Sequence, residues 1–216
     1  MRLFPDFQED KNVRNYFEAI MAETIDINED GEYSERSTGV YNAVCNRSLR
    51  MIADALDMPE YLAPVRKNLD FMCHLLHEDG TVVTTFSTRQ DRRRRVVPVG
   101  IADSFFDMAQ CDQNGMWAHA ADILFANGSD APHAAWLLHP FLINPHYRQD
   151  SLPRMALPQS YRHVFPSSGL MRVKRSELSA TVSAGNTAFL SLRCGDVTLE
   201  AVKIAGTYHS STNFSG

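Results

Sequence analysis

The stretch GLMRVKRSELSATVSAGNTAFLSLRCGDVTLEAVKIA, residues 169–205, alternates apolar and polar side chains in short runs broken by polar turns. A period of two places successive side chains on opposite faces and marks β-strands. It predicts strands over Leu170–Arg175, Leu178–Ser183, Thr187–Arg193 and Val197–Ala205, separated by Ser-Glu, Ala-Gly-Asn and Cys-Gly-Asp turns. Turns this short join antiparallel neighbours, so the segment reads as half of a β-sandwich. The sequence then stops at Gly216 with no second sheet to cover the exposed face. A bare sheet face is costly, and the expectation is that further chain or another chain covers it.

Upstream the texture changes. Pro145, Pro153, Pro158 and Pro166 stand among Ser and Gly, and residues 151–168 read as a linker between domains 1–150 and 169–216. Before the linker, apolar residues recur with the 3.6-residue period of amphipathic helices. Asp10 to Ile25 carries Val13, Tyr16, Phe17, Ile20 and Met21 on one stripe. Ser37 or Thr38 can cap a helix to Asp57 whose apolar stripe is Tyr41, Val44, Cys45, Leu49, Ile52 and Leu56. Pro59 opens the next helix, with Leu62, Val65, Leu69, Met72 and Leu76 facing one way until Asp79-Gly80. Helices follow over Ala102–Ala109 and Gly115–Ala126, with a short one capped by Asp130 through Trp136 to Leu138. Short connections in this order predict antiparallel helical hairpins. Two β-branched strips, Thr81–Phe86 and Arg94–Val99, interrupt the helices as a hairpin or as extended segments at the mouth of the helical layer. The fold class is α+β.

Composition narrows the chemistry. The net charge of −5 argues against general nucleic-acid binding, and no run approaches the roughly 20 apolar residues that span a bilayer. The opening MRLFPDFQEDKNVRNYF has no apolar core behind a basic start and does not read as a signal peptide. The compartment stays open, because a native N-terminus lying upstream is one reading. Cys45, Cys73, Cys111 and Cys194 are scattered and read as free thiols. Of the 21 basic residues 17 are arginine, five of them within Arg89–Arg95. Arginine's planar fork suits carboxylate or sulfate, so an anionic ligand and a plain solvated face are both readings of this run.

Three segments carry a family resemblance. DGEYSERSTGVYN (Asp30–Asn42), DGTVVTTFSTRQDRR (Asp79–Arg93) and FPSSGLMRVKR (Phe165–Arg175) occur in that order. Together they resemble the heparinase II/III-like polysaccharide lyases, with Asp30, Gly31, Glu35, Ser37 and Tyr41 at or near the places of one motif. The resemblance implies an incomplete α/α toroid followed by the first strands of a β-sandwich. It implies β-elimination on an acidic polysaccharide or oligosaccharide, with no metal and no cofactor. That reaction removes the proton α to a uronate carboxylate and expels the neighbouring glycosidic oxygen, and so needs a base, an acid and a charge acceptor. Tyr41 matches the family's catalytic tyrosine. Arg36, Arg89 and Arg92 are candidates to bind substrate carboxylate or to stabilise a phenolate, and Glu35 and Asn42 complete the candidate binding set.

Read without the resemblance, Tyr41 is a core tyrosine of its helix stripe, and Glu35 and Ser37 are capping residues. The family's carboxylate-neutralising Asn, on a helix before the tyrosine, and its paired sandwich histidines have no match here; His209 stands alone. A glycan-binding relative without cleavage is therefore the second function, and an α/α glycoside hydrolase the third. Hydrolysis needs two facing carboxyls, of which only Glu35 suggests itself. His74, His77 and Glu78 form an H-x-x-H-E run that a metal could use, although its spacing is not that of a zinc helix.

Overall fold

The computed structural model describes residues 11–128, 142, 151–208 and 212–215. Among these the chain forms five α-helices, a five-stranded antiparallel sheet and a two-stranded hairpin, an α+β architecture. The short helix expected after Asp130 and the lone His209 lie outside the described residues.

The helices are α1 (Lys11–Met21), α2 (Tyr41–Leu56), α3 (Leu62–Cys73), α4 (Ala102–Asp112) and α5 (Gly115–Asn127). Local chemistry sets their ends. The Ser37 hydroxyl accepts a bond from the Tyr41 N–H at 3.3 Å, and Asp57 closes α2 in the left-handed conformation. Pro59 opens a 3₁₀ turn that leads into α3. The Asn114 side chain accepts from the Met116 and Trp117 N–H groups at the start of α5.

Val65, Leu69 and Met72 of α3, Phe105 and Met108 of α4, and Ala120, Ala121 and Leu124 of α5 are all essentially inaccessible and form one core. Each large side chain among them contributes about 1.5–3 kcal/mol on burial.

The buried stripe of α2 differs from the one its apolar residues predict. Asn42, Ala43, Asn46, Leu49, Arg50 and Ala53 face inward, whereas Val44 is 45% exposed. The helix is turned because its neighbours offer polar partners. Asn46 accepts from the Tyr33 hydroxyl at 2.7 Å and donates to Asn68 at 2.9 Å. Arg50 reaches Asp103, Ser104 and Asp107 on α4. Buried polar groups with matched partners stabilise such a face, which hydropathy alone does not register. On α1, Tyr16 and Ile20 are exposed.

Thr81–Phe86 and Arg94–Val99 run alongside each other as extended strips. The Val82 N–H donates to the Val96 carbonyl, and the Thr84 hydroxyl donates to the Arg94 carbonyl.

The sheet is a meander of β1 (Ser160–Phe165), β2 (Leu170–Arg175), β3 (Leu178–Ser183), β4 (Leu190–Cys194) and β5 (Val197–Val202). The hairpin pairs β6 (Ala205–Tyr208) with β7 (Thr212–Ser215). Strands β2 and β3 match the sequence reading, and β4 starts later than expected. Val197–Ala205 divides after Val202, following a left-handed residue at Ala201. Ser160–Phe165, inside the stretch read as linker, is a full strand in register with β2. It reads as linker in the sequence because Pro158 and Pro166 bracket it.

The polar row of the sheet faces the helices. Arg172, Lys174, Ser179, Thr181, Ser183 and Ser191 are buried, while Val164 and Leu199 of the opposite row are about half exposed. Backbone carbonyls and carboxylates on the helical side receive this row. At the sheet's edge Phe165 and Leu170 enter the helical core, with the Phe165 ring 5.0 Å from that of Phe71.

Candidate functional site

Two of the resemblance segments meet in space. The Asp30 carboxylate accepts from the Ser168 N–H at 2.7 Å, and Asn28 donates to the Ser168 hydroxyl at 3.0 Å. Arg36 pairs with Glu32 at 3.0 Å and donates to the Ser168 carbonyl at 3.0 Å. Its guanidinium also lies 5.7 Å from the Phe86 ring centroid. Arg36 thus fastens the loop before α2 to the β1–β2 turn. Burial raises the Glu32 carboxyl above its ordinary range, an effect that Arg36 opposes.

The third segment supplies the support beneath Tyr41. Asp91, 2% exposed, accepts from the Ser37 hydroxyl at 2.9 Å, the Gly39 N–H at 2.8 Å and the Ser87 hydroxyl at 3.0 Å. This carboxylate ties the arginine-rich loop to the turn that begins α2. It also accounts for the glycine, since a Cβ on Gly39 would lie 3.0 Å from both Asp91 Cβ and Oδ2.

Of the six candidate residues, Glu35, Tyr41 and Arg89 come together. The Arg89 guanidinium carbon is 5.8 Å from the Tyr41 ring centroid, and its Nη2 pairs with Glu35. Tyr41 is half-buried, and its hydroxyl has no hydrogen-bond partner among the described residues. Arg92 lies on the same loop but reaches the β3–β4 turn, donating to Asn186 at 3.1 Å. Arg36 is engaged as above. Asn42 is 1% exposed, with its amide nitrogen 3.2 Å from the Met72 sulfur.

The H-x-x-H-E run separates. His74 donates from Nδ1 to the Asp70 carbonyl at 3.0 Å, and its ring meets Tyr161 and Phe165 edge-on and His163 at a tilt. Glu78 turns to Lys174, 3.8 Å away. Among the described residues no group of three or more His, Cys, Asp or Glu is arranged to hold a metal.

His77 faces a second feature. A cavity of about 480 Å³ opens between the Thr81–Thr85 strip and the inward face of the sheet. Its charged lining is Arg94, Arg95, Arg172 and Arg193, with Asp196 and Glu200 beside β5. Arg172 is 1% exposed and has no carboxylate partner among the described residues. It donates instead to the carbonyls of His74 and Ala180 and to the hydroxyls of Thr181 and Ser179.

Arg193 and Arg95 both pair with Asp79 at 2.9 Å. Burial acts to raise the Asp79 carboxyl, but the Arg193 and Thr81 bonds outweigh it and hold the group well below the ordinary range. Burial pushes His77 down to about 3, reinforced by the charges of Arg172 and Arg193, so its imidazole is neutral near pH 7.

His77 enters the sequence reading only as part of the H-x-x-H-E run, and Arg172 and Arg193 only as strand residues, Arg172 within the Phe165–Arg175 segment. The available signal was the alternation itself, which puts Arg172 on one face with Thr181 and Ser191.

No helix among the described residues is long and apolar enough to cross a membrane. No family model matches the chain, and no curated protein and no solved structure matches it.

Proposed function

We propose that the protein is a polysaccharide lyase-like protein of heparinase II/III type, acting by β-elimination on uronate-containing polysaccharide. In this reading the helical hairpins are part of an α/α toroid and the sheet is the start of a β-sandwich. The observation that carries the proposal is Tyr41, half-buried at the start of α2 with the Arg89 guanidinium 5.8 Å from its ring.

Its hydroxyl is the proton carrier: as phenolate it takes the proton α to the uronate carboxylate, or as phenol it protonates the leaving glycosidic oxygen. Arg89 supplies positive charge beside the phenolate or the substrate carboxylate, and Glu35 holds Arg89 in place. Asp91 fixes the loop and the helix start against each other, so the two groups keep their spacing.

A glycan-binding protein without cleavage is the second reading. It is favoured by the inward engagement of Arg36 and Asn42, which leaves few polar groups around Tyr41 for substrate. Hydrolysis ranks below both, because Glu35 is committed to Arg89.

The test is incubation with a panel of uronate polysaccharides while following the ultraviolet absorbance of the unsaturated product. Lyase action produces a rise that Tyr41→Phe lowers by about 10²-fold or more, the scale of a positioned acid or base. No rise on any substrate, with glycan binding retained, would establish the second reading. A rise that Tyr41→Phe leaves intact would remove the tyrosine from the chemistry.

A further inference from the structure

We propose that the cavity between the Thr81–Thr85 strip and the sheet is a binding site for a compact oxyanion, the carboxylate of a sugar acid or a sulfate or phosphate group. The inference goes beyond the role given to Tyr41 and does not rest on it.

A count of donors and acceptors carries the argument. Ser179 and Thr181 each accept on their hydroxyl oxygen from Arg172, at 3.0 and 2.7 Å. Ser191 accepts from the Thr85 hydroxyl at 3.0 Å. A hydroxyl that accepts still has its own hydrogen to give. None of these three hydrogens has an acceptor among the described residues, and all three residues line the cavity.

Beside them lies Arg172, a guanidinium buried to 1% exposure whose hydrogen-bond partners are all neutral carbonyls and hydroxyls. Arg94, exposed and also lining the cavity, has no carboxylate partner among the described residues. Burying a charge without a counter-charge is expensive, and carbonyl dipoles offset that cost only in part.

Around Arg172 the wall is thus built of donors and cations, where a cation or metal site would present acceptors. The carboxylates of Asp196 and Glu200 lie at the β5 side of the cavity, across β3 and β4 from Arg172. An oxyanion supplies what is missing: lone pairs for three hydroxyls and a negative charge for Arg172. The size fits as well, since about 480 Å³ lies within the range of small-molecule clefts. His77, neutral beside these cations, adds no competing positive charge.

The experiment is calorimetric titration of the full chain, at fixed ionic strength, with sodium sulfate, sodium galacturonate and neutral galactose. The same titrations are run on Ser191→Ala and Arg94→Gln. These replace a hydroxyl on β4 and an exposed arginine and avoid Arg172, whose loss could unfold the sheet. Thermal melting confirms that each variant is folded.

Saturable binding of an anion is expected, weakened about tenfold by each substitution, the usual effect of losing one hydrogen bond to a charged group. Galacturonate binding alone would identify a sugar acid as the source of the oxyanion. Sulfate binding alone would identify a free or esterified tetrahedral anion. Three results would overturn the proposal: no binding of either anion, galactose binding as well as galacturonate, or anion binding that neither substitution weakens.

Discussion

Replacing Asp91 tests whether the arginine-rich loop is held to the α2 turn by one carboxylate. In Asp91→Ala the Gly39 N–H loses its acceptor at 2.8 Å and the Ser37 and Ser87 hydroxyls lose theirs at 2.9 and 3.0 Å. An unsatisfied buried donor costs about 1–3 kcal/mol. The N–H bears this in full because it cannot rotate. The hydroxyls recover part of it, since Ser87 already lies 3.5 Å from Thr38. The sum is about 3–4 kcal/mol, a large share of a stability that is typically about 5–15 kcal/mol. Asp91→Asn keeps one oxygen for the Gly39 N–H and turns its amide toward a serine that can switch to accepting, so about 1–2 kcal/mol is expected. Urea unfolding measures both: the alanine variant should lower the midpoint by about 1 M or more with an unchanged slope. If alanine costs under about 0.5 kcal/mol, or if asparagine costs as much as alanine, the carboxylate is not the tie described.

Two further outcomes are expected. His77 binds a proton near 6.5 when unfolded and near about 3 when folded. The unfolded chain therefore takes up more protons, and the stability this group contributes is present above pH 6.5 and falls as the pH drops toward 3. The loss reaches at most about 2 kcal/mol between pH 6.5 and 5. Chemical denaturation across that range should show His77→Gln with the shallower dependence, and parallel curves would mean that His77 is not kept neutral by burial. Gly31 sits at φ +94, where an added Cβ would lie 2.3 Å from the Lys67 carbonyl oxygen. Gly31→Ala should lower the melting temperature by about 5–10 °C. Gly185→Ala, at φ +68 with open space around it, should cost only about 1 kcal/mol. Equal effects would show that crowding at Gly31 plays no part.

Periodicity and punctuation alone determined much of this protein. The α+β order follows from local pattern, as do the limits of β2 and β3, the stop of α2 at Asp57 and the start of α5 at Gly115. Each depends on chemistry within a few residues: alternation, a left-handed cap, a glycine after an asparagine cap. The pairing of Arg89 with Glu35 beside Tyr41 joins residues from two of the segments that sequence singled out. What faces what was decided only by tertiary structure. Hydropathy puts Tyr41, Val44 and Ile52 of α2 inside, yet Asn42, Asn46 and Arg50 lie there, Asn42 against the Met72 sulfur and the other two because Tyr33, Asn68, Asp103 and Asp107 receive them. The sheet turns Arg172, Thr181 and Ser191 inward for the same reason, and the cavity exists only where that face meets the Thr81–Thr85 strip. A hydrogen bond between residues 30 or 100 positions apart leaves no trace in the local period. Burial of polar side chains is therefore settled by the partner that the fold brings to them.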